Sequence, residues 1–507
     1  MRSSIMQLDS LPLRQLILSR LREHEDRVLI SDESEVWTGR EILKKIERLK
    51  ALIETHTPPR APVLVSFPNS SVNAIAILAV IVSDRVPVLL APQDLAQDPS
   101  SWLKRVKPAL ALVDREYALF RSSLETPPMY ILNHSSNIQA TVNPNLKLED
   151  ARVHEVAEAT ALVLYTSGST GAPKGICIPA RGIIETSHHL IKRFGLNEDS
   201  ISPVVLPICH SMGLNTQFFP TLLAGGRAHF VDIHLELSKL YRTIVHTEGT
   251  FVSLIGEILM YCHKEKEKRN LQPSTRVQHV QLAGGMISSL HLEAARELFP
   301  NAKIHKGYGL TEAIRVTMID SDDPDFLTDS VGYPLDFTEV EIRDDDQIVT
   351  APFQIGEIWV AGPNTLSGIL GMPVPTKRLD PFSTGDLGYW NHRKQLCIVG
   401  RDDGLFKFNG NRVPGSEIEK VALGTSRSIR NSKCLLVEDP KTGRSRITLF
   451  VEVVDLEESQ SLEEKLTERM RNFSHPPKKV VFMTKFPSTS NGKVSLSKLR
   501  NYRTVKL

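Results

Sequence analysis

Cysteine is scarce in this chain. The five residues, Cys177, Cys209, Cys262, Cys397 and Cys434, are scattered and odd in number. That excludes a disulfide framework and a closely spaced zinc site, and it fits a reducing compartment. An excess of one charge sign is also missing. Lys plus Arg number 61 against 59 for Asp plus Glu, so no electrostatic argument draws the chain to nucleic acid or an anionic membrane. Long hydrophobic runs are absent. The most apolar stretch, Ala74 to Val82, is too short to span a bilayer and is followed at once by Ser83-Asp84-Arg85. Met1 to Arg20 carries Arg2, Asp9 and Arg14, unlike a signal peptide. The Walker spacing Gly-x-x-x-x-Gly-Lys-Ser/Thr does not occur. Internal repeats and low-complexity tracts are lacking. The expectation is a soluble cytoplasmic protein with no membrane span and no nucleic-acid partner.

What is present is enough apolar residue, 41% of 507, for a sizeable core and several domains or subdomains. Ile42, Ile46, Leu49 and Leu52 recur at helical spacing within 38–56. Pro62 to Phe67 reads as a strand, Asn73 to Val82 as a buried helix and Val86 to Leu90 as a strand. This alternation runs to about residue 310 and predicts α/β layers with parallel sheets. Residues 134–150 read as a polar connector. Residues 331–400 read as a small β-rich subdomain of short strands, among them Glu339 to Arg343 and Glu357 to Val360. The charged turn Gly400-Arg401-Asp402-Asp403-Gly404 marks a boundary. A last α/β unit follows, whose helix from about 461 to 473 puts Leu462, Leu466 and Met470 on one face.

Five segments carry chemistry. After the apolar run Ala161 to Tyr165 comes Thr166-Ser167-Gly168-Ser169-Thr170-Gly171-Ala172-Pro173-Lys174-Gly175. Glycines here let backbone N–H groups approach anionic oxygens, and hydroxyls and an ammonium add donors. The second is Gly307-Tyr308-Gly309-Leu310-Thr311-Glu312. Its glycines permit close approach to a flat ring, and its hydroxyl and carboxylate suit a divalent metal with phosphate oxygens; a helix N-cap at Thr311 is the plainer alternative. The third, Ser383-Thr384-Gly385-Asp386-Leu387-Gly388, offers a carboxylate to two ribose hydroxyls, or is an ordinary Asp turn. The fourth is the Gly400–Gly404 turn with Lys407, Gly410 and Arg412 beyond it. The fifth is Pro487-Ser488-Thr489-Ser490-Asn491-Gly492-Lys493.

Together and in this order, the five segments resemble the adenylate-forming ligase superfamily, which contains acyl- and aryl-CoA synthetases, peptide-synthetase adenylation domains and firefly-type luciferases. The resemblance runs from about residue 160 to 500. It implies a large N-terminal domain, 1–401, of two α/β subdomains plus the β-rich one, and a small mobile α+β domain, 402–507. It also implies that a carboxylate attacks the α-phosphorus of ATP, that pyrophosphate leaves, and that a pantetheine thiol of CoA or of a carrier protein takes the acyl group.

By motif position, the resemblance implies that Thr166, Ser167, Gly168, Ser169, Thr170, Gly171 and Lys174 cradle the β- and γ-phosphates. Thr311 meets the α-phosphate and Glu312 holds Mg²⁺. Tyr308, with Gly309 and with Gly284 and Gly285 nearby, receives adenine. Asp386 and Arg401 take the ribose hydroxyls, and Lys493 bridges the attacking carboxylate and the nucleotide. Asp403 matches the hinge, Gly410 the pantetheine tunnel, and Arg412 approaches a phosphate. One departure is Lys306, a donor only, where relatives carry an amide or acidic side chain toward the adenine amino group.

The segment Pro207-Ile208-Cys209-His210-Ser211-Met212-Gly213-Leu214-Asn215 resembles the Pro-x-x-His stretch of acyl- and aryl-acid ligases. Amino-acid-activating relatives place an aspartate nearby to pair with the substrate ammonium; here the next is Asp232. A buried unpaired ammonium is costly, which favours an acid without an α-amino group, fatty, cyclic or aryl, although a distant carboxylate such as Glu257 could enter the pocket. His210, Met212, Gly213, Asn215, Gly284, Met286, Gly307 and Ala313 are the implied pocket, with His210 at the carboxylate end. Two other classes remain open at this point: an amide-forming ligase in which an amine captures the adenylate, and a non-catalytic scaffold on the same fold.

Overall fold

The computed structural model describes residues 12–114, 129–132, 138–141, 156–166, 173–232, 239–283, 287, 289–344, 347–373, 381–401, 405–408, 411–438, 445–471, 473, 475–488, 494 and 498–499. Its first sheet has eight strands in the order 368–369, 174–179, 160–166, 86–89, 62–66, 110–114, 129–132, 138–141. The strands Pro62–Ser66, Val86–Leu89 and Leu110–Asp114 pair in parallel, as the alternating sequence predicts. Residues 138–141, inside the expected connector, instead add an antiparallel edge strand against Met129–Leu132. Ile138 and Ala140 alternate there with Gln139 and Thr141, a period of two that suits a strand.

Two helices show how the sequence builds this layer. Gly39–His56 starts at Thr38, which exchanges hydrogen bonds with Glu41 in a capping box. Its face of Ile42, Ile46, Leu49 and Ile53 is buried. Ser71–Val82 is capped by Ser70, which accepts from the Asn73 N–H. Its side chains are buried nearly all round, as expected of a helix apolar on every face.

The second sheet has ten strands, ordered 251–254, 279–282, 303–308, 317–320, 330–334, 396–401, 382–390, 356–361, 339–344, 347–348. The first three are parallel and the remainder antiparallel. The β-rich stretch is thus present, and it joins edge to edge with the second α/β layer through Thr317–Asp320 and Ser330–Pro334. A four-stranded sheet, 201–204, 227–230, 28–31, 36–38, completes this part.

Beyond residue 404 a separate core forms. The hairpin 405–408/411–414 leads to helix Gly415–Leu423, three strands (429–438, 445–453, 479–483) and helix Ser459–Arg469. Ile418, Ala422, Ile447, Leu449, Leu462, Leu466 and Met470 pack together there. Lys420 pairs with Asp329, Arg427 with Glu293 at 3.0 Å, and Asn431 donates to Glu257 at 3.3 Å. Among the described residues no helix is long and apolar enough to cross a membrane.

Candidate active site

Strand Thr160–Thr166 delivers the first loop, and strand Lys174–Pro179 leaves it, antiparallel, with Thr166 in register with Lys174. Residues 167–172, which include Ser167, Gly168, Ser169, Thr170 and Gly171, lie outside the described residues, but both ends of the loop are pinned. Thr166 is half-buried and Lys174 exposed. Arg105 donates to the Pro173 carbonyl at 3.2 Å.

The second segment sits where strand Lys303–Tyr308 turns back into Thr317–Asp320. Leu310 N–H bonds the Ala313 carbonyl at 2.9 Å and Val316 N–H the Tyr308 carbonyl at 2.7 Å, closing the turn. No helix follows Thr311, so it is not an N-cap. The half-buried Thr311 and Glu312 are held from outside, because Leu366 N–H bonds the Glu312 carbonyl at 2.8 Å and Ala313 bridges Thr365. Asn364 donates to the Ile314 carbonyl at 2.8 Å. The same strap continues to Leu370, whose N–H bonds the Gly175 carbonyl at 2.8 Å, and Ile369 pairs with Ile176. Residues 364–370 therefore tie the Thr311–Glu312 turn to the strand that begins at Lys174. A glycine is required at 309, where a Cβ would lie 2.7 Å from the Arg315 backbone nitrogen.

Tyr308 donates its hydroxyl proton to Asp386 Oδ2 at 2.5 Å. Asp386 is buried on strand Phe382–Trp390, after Gly385, whose φ of +68° favours glycine. Thr384 Oγ1 accepts from the Asp386 N–H at 3.1 Å, and Arg401 stands opposite Asp386 in the register. The second, third and fourth segments so converge, with an aromatic ring, a buried carboxylate and the Arg401 backbone on neighbouring strands.

Lys306 points away from this group. Its buried ammonium donates to the carbonyls of Phe326 at 2.5 Å and Thr328 at 2.8 Å, and burial pulls its pKa down to about 8. The departure at this position is thus a structural tie.

His210 heads a short helical segment. Its N–H bonds the Pro207 carbonyl at 3.0 Å, and Ser211–Gly213 runs into a π-turn, Leu214–Phe218, a device common at functional sites. At Gly213 a Cβ would strike the Leu206 carbonyl oxygen. Asn215 is fully buried; it donates to Ser211 Oγ at 3.1 Å, and its Oδ1 has no partner among the described residues. Met212 packs half-buried against the core of the second sheet.

Two residues that carry no local signal hold the segment between the sheets. Asn69 donates to the Val204 and Val231 carbonyls at 2.8 and 3.0 Å and accepts from the Ile208 N–H at 3.2 Å. Gln281 donates to Thr216 Oγ1 at 2.9 Å from the strand that leads to Ala283. Gly284, Gly285 and Met286, and likewise Asp403, Gly410 and Lys493, lie outside the described residues. Arg412 faces Lys407 in the hairpin register, and Ser488 bridges Val494, one on each side of the segment that holds Lys493. Glu257 accepts from Asn431 of the C-terminal unit.

The donor set fits a nucleotide with a hard divalent cation. Glu312 is a single carboxylate on a turn tied to the strand that begins at Lys174. Mg²⁺ needs only one or two protein carboxylates when phosphates and water complete its shell. Among the described residues no group of three His, Cys, Asp or Glu could cage a metal alone.

A family model described as AMP-binding enzyme matches residues 18–370. The chain is similar to 4-coumarate--CoA ligase-like 2 of Arabidopsis thaliana, 28% identical over 69% of this chain and 62% of that protein, so it spans somewhat less than two thirds of that relative. It is similar to 4-coumarate--CoA ligase-like 4 of Oryza sativa subsp. japonica, 27% identical over 88% of this chain and 83% of that one. Among solved structures it shares the fold of O-succinylbenzoate Coenzyme A Synthetase (MenE) from Bacillus subtilis in complex with ATP and magnesium ion, with TM-score 0.77, 20% identity, 96% of this chain and 98% of that one.

Proposed function

The chain belongs to the AMP-binding enzyme family, and from that premise we propose that it is an ATP- and magnesium-dependent ligase joining a non-amino carboxylic acid to a pantetheine thiol, of CoA or of a carrier protein. The observation that carries this reading is the Tyr308–Asp386 hydrogen bond, which sets a flat ring beside a buried ribose acceptor at the turn bearing Thr311 and Glu312. The names of the plant relatives, both CoA ligase-like, support a thiol acceptor. The five free, buried cysteines fit the reducing cytoplasm.

In this reading a carboxylate oxygen of the acid forms a bond to the α-phosphorus as the α–β anhydride breaks. Pyrophosphate leaves and acyl-AMP remains. The site's task is to neutralise charge on the phosphoryl oxygens in a preorganised way. Lys174, Thr166 and the loop between them take the β- and γ-phosphates, and Thr311 the α-phosphate. Glu312 would hold Mg²⁺, which would supply charge neutralisation to the phosphate oxygens. Tyr308 stacks on adenine, Asp386 and Arg401 hold the ribose, and His210 borders the reacting carboxylate. Lys493 arrives from the domain 402–507, which pivots at Asp403 between the half-reactions. The thiol sulfur then bonds to the acyl carbon and AMP departs, with Gly410 lining the pantetheine path and Arg412 near its phosphate.

ATP–pyrophosphate exchange across a panel of carboxylic acids tests the first step. Product analysis with CoA, carrier protein and free amino acids offered in parallel tests the second; amide formation would replace the thiol acceptor with an amine.

A further inference from the structure

Arg315 occupies an unusual place. It stands at the base of the Gly309–Val316 turn, three residues after Glu312, in a left-handed conformation with φ of +41°. Such a φ is uncommon for a non-glycine residue and is kept where the surroundings enforce it. Here Asn364 enforces it by donating to the Arg315 carbonyl at 3.3 Å. The residue is 4% exposed, and its guanidinium lies directly over Gly307, where any Cβ would collide with Nη1. Its Nε is enclosed and has no hydrogen-bond partner among the described residues.

Of the nearby described carboxylates, Asp320 and Asp322 are already paired, and Asp336 is exposed to solvent. On the same face of strand Lys303–Tyr308, Asp320 pairs with Arg193 at 3.1 Å and with Lys303 at 3.4 Å, and Asp322 with Lys303 at 2.7 Å. Burial pulls the Arg315 pKa down to about 10. Further enclosed polar atoms without partners lie around it: His305 Nδ1 on the same strand, and His189 Nε2 and Arg193 Nε on helix Ala180–Phe194. Burial is the main cause that depresses the pKa of His305 and of His189; Arg193 and Arg315 add to it at both, while Asp336 opposes it at His189, which puts these groups in one electrostatic neighbourhood. Native proteins leave few buried polar atoms unpaired, and a buried charge without a partner is expensive. Several such polar atoms around a guanidinium that no carboxylate among the described residues pairs describe a place for an anion. In the reading above, the nucleotide phosphates are assigned to Thr311 and the Lys174 loop and not to Arg315.

We propose that Arg315 is a specificity-determining residue that pairs with a second carboxylate on the substrate, so that the acid activated is a dicarboxylic acid. This rests on the acid-activating reading above. A planar guanidinium with two parallel N–H bonds is matched to a carboxylate, whereas an apolar tail lying against it would leave the charge unpaired. Gly307 supplies the space over the strand that the guanidinium occupies.

The test is ATP–pyrophosphate exchange by the full chain with length-matched pairs: glutarate and pentanoate, adipate and hexanoate, terephthalate and benzoate. The wild type should favour one diacid over its monoacid partner by roughly a hundredfold in kcat/KM, the scale of a desolvated charge pair. Arg315→Met should lose that preference, mainly through KM, while keeping or gaining monoacid exchange. Arg315→Lys should recover part of it. A wild type that uses monoacids as well as diacids overturns the proposal and leaves acid activation standing. So does an Arg315→Met variant with an unchanged melting temperature that loses both substrates of a pair equally. Should Arg315→Met not fold, the wild-type ranking and the lysine variant decide. Absence of exchange with every acid, despite ATP binding, removes the acid-activating reading and this inference with it.

Discussion

Tyr308 and Asp386 lie 78 residues apart in sequence and share a hydrogen bond of 2.5 Å. The bond fixes the tilt of the ring relative to a carboxylate that is 5% exposed, and it satisfies one acceptor position on that carboxylate before any ribose arrives.

Tyr308→Phe should therefore keep the stacking surface and lose the alignment. Hydrogen bonds to charged groups are worth about 1.5–3 kcal/mol, so KM for ATP should rise roughly tenfold or more with kcat nearly unchanged. Asp386→Ala should be worse, because it also removes the proposed ribose acceptor. Steady-state kinetics in ATP at saturating acid reads both; an unchanged KM in Tyr308→Phe contradicts the arrangement.

Lys306 gives a pH signature of stability. Its native pKa is near 8 and its ordinary one 10.5, the cause being burial. Below about pH 8 both native and unfolded chains carry the proton, and burying the charge costs stability. Between about pH 8 and 10.5 the unfolded chain keeps a proton that the native chain has released, so stability rises with pH through that window. Relative to Lys306→Met, which cannot titrate, the wild type should gain on the order of 1–3 kcal/mol across it. Chemical denaturation of both proteins at pH 7.5 and 10.5 measures the difference; parallel curves would mean the ammonium is not desolvated.

How much of this was legible in the sequence depended on range. The helix Gly39–His56 announces itself through Thr38, Glu41 and its apolar spacing, all within one segment. Thr166, Lys174, Tyr308, Thr311, Glu312 and Asp386 stand in short motifs whose residue types state their chemistry. The edge strand 138–141 was not legible, because four residues of mixed polarity inside a polar stretch look like a connector. Nor was the fusion of the β-rich stretch with the second sheet, since strand pairing across long loops leaves no periodic trace. Asn69 and Gln281 act across 135 and 65 residues, and an isolated amide carries no local pattern. Arg315 reads as an ordinary charge until its burial and the commitments of Asp320 are known.

Lys493→Ala should nearly abolish adenylate formation and spare transfer from a supplied acyl-adenylate. Losing one charge contact made at the transition state costs roughly 3–4 kcal/mol, a hundredfold to a thousandfold in rate. Pre-steady-state assays of the two half-reactions check this; equal damage to both would count against a lysine that serves only the first.

Asp403→Pro should give the opposite pattern. Proline holds φ near −65°, so a pivot at this position freezes in one arrangement. Adenylation should survive within a few-fold while thioester formation falls by at least roughly a hundredfold, the scale of a lost alignment. Thioester formation at the wild-type rate would place the pivot elsewhere or remove the need for one.

The central claim is that this chain activates a carboxylic acid lacking an α-amino group. The most direct measurement is ATP–pyrophosphate exchange with paired substrates, each proteinogenic amino acid beside its des-amino analogue, together with the diacid and monoacid pairs. The account predicts strong exchange with at least one acid that has no α-amino group and none above background with any amino acid, since an ammonium beside His210 and Asn215 would meet no carboxylate from that segment and would be costly to desolvate. Robust exchange with a proteinogenic amino acid, and none with its des-amino analogue, would contradict it.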